Sequence, residues 1–449
     1  MLMEFRLLWR SAALRWAVLA ATMLTTLALA LGIVNVAALE RAAERAVATS
    51  EAALANQRLA AASTPLDTGM FAYGTFFTVP MPPAPGAWFN PGDTLAQAPA
   101  QRIRMLGLQG QAHDGTGGNP AALATGAFDA AFVIAVLLPL LAVALLAPLA
   151  AEEREARRDG LLAALVVSPR RFWLQRIAAR GLLVLAPVMV PIAIALAVIG
   201  ASPAFALGVL GGSLLYGIAW IALFAALALR SRGGSDAVAA RLLTLWALAV
   251  LVLPALGGLL LDRIAPTVPG SAIALAHRQA VNAAWDQPKR DTFEAFFEAH
   301  PEWRATPEVT GRFHWKWYFA FHHVADRRVE PLLAEAKASR EMRQQARSAL
   351  GLVLPTVALQ NLFDGLSDQG IEGGEARAAA VRDFHDRLRR AMYPSLFDER
   401  PLSAGDLDTL PRPQAAQRSL RHRPAAWGAL AGFALLGLGL LWRASRRLF

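Results

Sequence analysis

The stretch Glu152-Glu-Arg-Glu-Ala-Arg-Arg-Asp-Gly160-Leu-Leu-Ala-Ala-Leu-Val-Val-Ser-Pro-Arg-Arg171, continued by Phe172 and Trp173 to Arg180, decides how the chain is read. It is an arginine-rich island between two apolar runs, each long enough to cross a bilayer. Leu161, Leu162 and Leu165 share one helical face, and Ser168-Pro169 ends the segment ahead of a second basic cluster. An amphipathic cytoplasmic segment between two spans can take force from a soluble partner and pass it into the membrane. A plain loop kept cytoplasmic by its arginines has the same pattern, and the residues alone leave both readings open.

The composition around this island belongs to a membrane protein. The chain has 449 residues, is 55% hydrophobic and has a mean hydropathy of +0.37. It has no cysteine, so disulfides and thiolate metal sites are excluded. The net charge of +10 is unevenly placed. With six spans and alternating sides, the cytoplasmic segments carry 16 Lys and Arg against 6 Asp and Glu, which leaves 28 of each elsewhere. All the excess positive charge lies on one side, so the basic balance orients the chain in a lipid bilayer and does not point to nucleic acid.

Residues 1–15 read as an amphipathic helix lying on the cytoplasmic surface. The first span is 16–39, an uncleaved anchor longer than a signal-peptide core. Residues 40–126 form a first extracytoplasmic segment, helical to Ala62 and then mostly loops and turns around Pro80 to Gly86. The second span is 130–151, with Asp129 at its rim, and 152–180 is the cytoplasmic segment quoted above. Spans three, four and five are 181–200, 205–229 and 242–261. The interiors of the spans so drawn contain no charged residue. Gly208 and Gly212 in span four, like Gly428 and Gly432 in the last, have the spacing that lets helices approach closely, within one chain or between two.

Residues 262–424 are long enough to fold as a helical extracytoplasmic domain of their own. Pro331 opens and Gly351 closes one helix, and Val381, Phe384, Leu388 and Met392 form the apolar stripe of another. Arg340, Arg343 and Arg347 alternate with Glu335 and Glu341 as on a solvated face. The aromatic run Phe313 to Phe321 suits either a core or a surface for a hydrophobic partner. The sixth span, 425–442, precedes a basic tail, 443–449, which keeps both termini cytoplasmic.

No P-loop, H-E-x-x-H or G-x-S-x-G occurs, so no catalytic residue, nucleotide site or cofactor is expected. His314, His322 and His323 are a conceivable metal triad. However, they share no single helical face and have no carboxylate at ligand spacing, so no metal is expected.

Glu152-Glu153-Arg154, Asp159-Gly160-Leu161-Leu162, Leu165 and Ser168-Pro169-Arg170 together resemble the corresponding loop of the ABC-2 type exporter permeases, with Leu161 where that family often has threonine. The large outer region with Leu354-Pro355, Phe384-His385-Asp386 and Leu410-Pro411 resembles the subfamily whose extracytoplasmic domain is uncharacterised. The resemblance implies an all-α membrane protein of six helices in the bacterial inner membrane. It implies a second permease subunit, identical or a sister, and separate ATP-binding subunits below. It makes Glu152 to Pro169, with Arg158 and Arg170, the segment that contacts the ATPase, and it makes the chain a transport subunit without enzymatic activity. A membrane-anchored sensor or scaffold is the rival reading. A secondary transporter fits less well, since buried charges and repeats are lacking.

Overall fold

The computed structural model describes residues 2–113, 128–417 and 420–446. The end of the expected first outer segment (114–126) and the last residues of the tail (447–449) lie outside the described residues. Among the described residues six helices are long and apolar enough to cross a membrane: Ala12–Ser63, Ala130–Glu155, Pro169–Ile199, Pro203–Arg230, Ser235–Ile264 and Pro424–Arg446. They form an all-α, multi-pass bundle. Its elbow end gathers residues near 4, 153, 176, 235 and 442, and its far end carries the remaining chain.

Several helices run past their apolar windows, because backbone hydrogen bonding continues wherever nothing breaks it. Helix one has 52 residues, about 78 Å, far beyond a ~30 Å hydrocarbon core, so its second half projects from the far end. Span three begins at Pro169 rather than 181, and span five at Ser235 rather than 242. The basic cluster after Ser168 is therefore the first part of helix three, and Ser168-Pro169 starts a helix as well as ending a segment.

Spans two and four form the centre: 61% and 72% of their most apolar windows are buried, against 17% for span five. Pro139 lacks an N–H, and helix two widens into a π-turn over Val133–Leu137 just before it. Carbonyls in that turn are taken up by neighbours. Tyr216 Oη donates to the Ala135 oxygen at 2.7 Å, and Trp246 Nε1 to that of Val136 at 3.2 Å. In lipid such satisfaction is obligatory, so the break in span two becomes a joint to spans four and five.

At the far mouth, non-helical backbone around Trp88 and Phe89 descends onto span one, where a Cβ on Gly32 would stand 1.9 Å from the Trp88 oxygen. Phe89 packs edge-on against Phe363 and Phe205. The Gly208 and Gly212 pair serves intramolecular packing, since Cβ atoms there would strike Leu366 and Leu362 of helix Pro355–Leu366. Gly428 and Gly432 face open space.

The two outer segments build one domain, which corrects the expectation that 262–424 folds on its own. Past Ala62 the first segment forms helix Thr68–Gly74 and the antiparallel strands β1 (Phe77–Pro80) and β2 (Ala100–Ile103). Phe71, Phe77, Val79, Ile103 and Met105 share a core with Phe296, Phe319, Phe384, Leu388 and Phe397. Arg343 and Arg347 do not lie on a merely solvated face: they pair with Asp262 and Asp364 at 2.8 and 2.9 Å.

Asp326 fastens the segments together, accepting from the Leu108 and Gln109 amides at 2.9 Å each and from Arg389 at 2.7 Å. Burial acts to raise its pKa, but the Arg389 guanidinium and the His277 ring hold the carboxyl well below the usual range. Burial, with His277 alongside, pushes the His322 imidazole down to about 3, and burial does the same to His385. The unfolded chain therefore takes up these protons first. Between the ordinary value of 6.5 and about 3, stability rises with pH and is lost on acidification. We expect the melting temperature of the far domain to fall from pH 7 to pH 4, and to fall less steeply in His322→Phe. A slope unchanged by that substitution contradicts the assignment.

Candidate coupling site

The elbow is built from three short pieces of backbone. Helix two ends at Glu155, Arg157 takes a left-handed conformation (φ 52°), and the chain restarts as the seven-residue helix Asp159–Leu165. That helix stops at Val166, Ser168 is extended, and Pro169 opens helix three. A non-glycine residue at positive φ reverses the chain sharply here, which places the small helix outside the bundle.

Its outward side is apolar. Leu161 and Leu165, one turn apart, are 59% and 70% exposed, and Val167 beside them is fully exposed. Leu162 is half-buried, so of the three leucines expected on one face, two point outward. Asp159 and Gly160 form the first turn of the small helix. Pro169 is half-buried, and Arg170 lies 5.8 Å over the Trp442 ring, which links the elbow to the end of span six.

The inward side is an ion-pair network. Arg176 holds Glu4 at 2.9 Å and Glu153 at 2.8 Å, all three nearly buried. Glu153 also accepts from the exposed Arg158 at 2.9 Å. Arg180, only 2% exposed, donates to the Leu145 carbonyl of span two at 2.7 Å, with Glu4 and Glu152 carboxylates at 3.6 and 3.8 Å. Glu155 Oε1 accepts the Ser235 amide at 2.7 Å and so caps helix five from another helix. The surface helix Leu2–Trp9, helices two and three and the start of helix five thus meet in one cluster. Arg154 stands apart: its Nε and Nη2 are buried without a hydrogen-bond partner among the described residues.

Of the expected residues, Glu152, Glu153 and Arg158 enter the network, and Leu161 and Leu165 form the outer face. Sequence reasoning passed over Glu4, Arg176 and Arg180 as site residues. The four-residue spacing of Arg176 and Arg180 was the available signal, since like charges one turn apart call for carboxylates opposite. Arg180, the last residue of the expected cytoplasmic segment, is buried within helix three. The histidines weighed as a metal triad turn to separate neighbours: His314 to Glu399, His322 to His277 and His323 to His300. Among the described residues no cluster of three or more metal-ligating side chains occurs.

If Arg176 holds the N-terminal helix down, losing it should free that helix. The chain's lack of cysteine lets Phe5→Cys report alone. Maleimide labelling at that position should accelerate several-fold in Arg176→Gln and stay unchanged in Arg171→Gln, an exposed control. Equal rates in both would show that the ion pairs do not secure the helix.

Residues 272–415, within the far domain, match a family described as a domain of unknown function (DUF3526). No curated protein and no solved structure matches the chain.

Proposed function

We propose that the chain is the permease subunit of an ABC-2 type exporter, moved by ATP hydrolysis in separate subunits docked at the elbow. On this reading the elbow end is cytoplasmic, both termini lie on that side, and the far domain is extracytoplasmic in the bacterial inner membrane. One observation carries the reading. A short helix displays Leu161, Leu165 and Val167 to solvent, while the backbone on either side of it is tied by buried ion pairs to helices two and three. Exposed apolar side chains gathered on one short helix are the kind of surface that a protein partner covers.

Magnitudes bear on the stoichiometry. Burying each of these three side chains contributes on the order of 1.5–3 kcal/mol. Association costs at least about 4 and up to about 15 kcal/mol, so one elbow alone holds a partner weakly. Two permease subunits, each with an elbow, would engage a pair of ATPase subunits more firmly, as the family resemblance implies. Closure of that pair would then push on helices two and three through a linkage too short to absorb the movement. The residues at the far mouth around Phe89 and the helix Pro355–Leu366 would gate the cargo's exit. A sensor or scaffold has no need of a ligated elbow of this kind.

Leu161→Asp and Leu165→Asp alter the outer face and leave the Glu153 bridge intact. We expect each to cut the nucleotide-binding subunit recovered with the purified chain at least tenfold, with the chain still folded. Undiminished ATPase recovery would sink the proposal, as would a reporter fusion that places residue 160 outside the cell.

A further inference from the structure

The aromatic run Phe313 to Phe321 divides between core and surface. Trp317, Phe319 and Phe321 are buried, whereas Phe313 is 45% exposed and Trp315 and Tyr318 are half-buried. The exposed part continues into the first outer segment. Tyr73 lies 5.7 Å from Trp315 and 5.9 Å from Tyr318, and Phe313 lies 5.0 Å from Trp315. The Arg104 guanidinium sits over both Tyr73 (4.7 Å) and Phe76 (5.1 Å), and that of Arg102 over Phe76 at 4.5 Å. The result is one continuous face of rings and two guanidiniums, drawn from helix Thr68–Gly74, strand β2 and the 313–318 stretch.

This face is not a membrane-interface belt. Phe76 and Thr75 are hydrogen-bonded to Ser50 and Gln57 of helix one. Those residues lie eleven and eighteen positions beyond Leu39, the last before the charges begin. At 1.5 Å per residue the face therefore stands about 16–27 Å past the apolar span. The headgroup region is only about 5–8 Å deep on each side. Lipid does not cover these rings.

The chemistry narrows what does. Among the described residues neither Arg102 nor Arg104 meets a carboxylate, and Arg104's recorded bond from the side chain goes to the Tyr73 carbonyl. Asp67, at the start of helix Thr68–Gly74, accepts from the Met70 amide, and Glu399 pairs with Lys316. Guanidinium and indole groups only donate, so apart from two phenols the face offers no side-chain acceptor. A neutral sugar, whose hydroxyls need acceptors as well as donors, is poorly served. An anion carrying a flat apolar group is well served, because the guanidinium forks can grip a carboxylate while the rings stack. Small-molecule sites are concave, and two hollows of this chain, between spans one and three and beside Ser168 to Ala178, lie elsewhere. Tyrosine, tryptophan and arginine spread across three chain segments are instead the composition of a protein-binding hot spot.

We propose that this face docks a segment of a partner protein bearing aspartate or glutamate next to an aromatic side chain. The experiment is photocrosslinking in intact cells with p-benzoyl-L-phenylalanine at position 313 of the full-length chain. The expected adduct is a different protein, attached within a segment that carries both side-chain types. Its yield should fall at least tenfold in Arg102→Glu/Arg104→Glu and recover substantially in Arg102→Lys/Arg104→Lys, which keeps the charges. Arg102→Glu alone, at an exposed position, should lose several-fold and keeps the test readable if the double variant misfolds. An absent adduct overturns the proposal. So does an adduct to lipid, to glycan or to a second copy of this chain, or a yield indifferent to charge reversal.

Discussion

Arg176 sits where three parts of the chain must agree. Its guanidinium joins Glu4 of the surface helix to Glu153 at the end of helix two, while its own backbone belongs to helix three. Desolvating a cation costs several kcal/mol, recovered only with close geometry and with its other donors occupied. Two carboxylates below 3 Å and the Phe172 and Trp173 rings at about 5.5 Å meet that condition. Arg180, one turn deeper, adds a bond to the Leu145 carbonyl. Removing one partner of such a set typically costs about 3–5 kcal/mol, because the remaining charges stay buried. The elbow therefore moves with helices two and three or not at all.

That rigidity gives the interior irregularities a role. A lone π-turn beside a proline is a weak point in a span, but here Tyr216 and Trp246 occupy carbonyls in the turn. Tyr216 Oη also meets Thr356 at 3.1 Å, on the helix that packs against Gly208 and Gly212. A continuous set of contacts thus runs from the elbow along span two, across Tyr216 to span four and into the far domain. Such a path is a physical route for coupling.

How much of this was legible in the sequence follows from the range of each interaction. Spans were legible because about twenty apolar residues in a row have few other uses. The Leu161 and Leu165 face followed from a spacing of four. Periodicity also identified Val381, Phe384, Leu388 and Met392, all buried. What stayed hidden depends on partners hundreds of positions away. His385 Nε2 donates to the Leu106 carbonyl, and Leu66 pairs with Leu402 across a single β-bridge. Neither contact leaves a local pattern. The shared domain therefore looked like a loop-rich segment and a separate helical one. Glu4 was hidden for the same reason, since nothing near it in the chain indicates Arg176.

The shared domain also explains why the far-end surface has the form it does. Here the long first helix carries residues 64–113 out to the level where 265–423 folds, and the two bury phenylalanines against each other. Tyr73, Phe76 and Phe313 remain exposed at the seam, with arginines over the Tyr73 and Phe76 rings. Exposing aromatic area is costly in water. Keeping it beside cations without carboxylates places both kinds of unmet demand on a single face, and one acidic, aromatic-bearing partner segment would answer both.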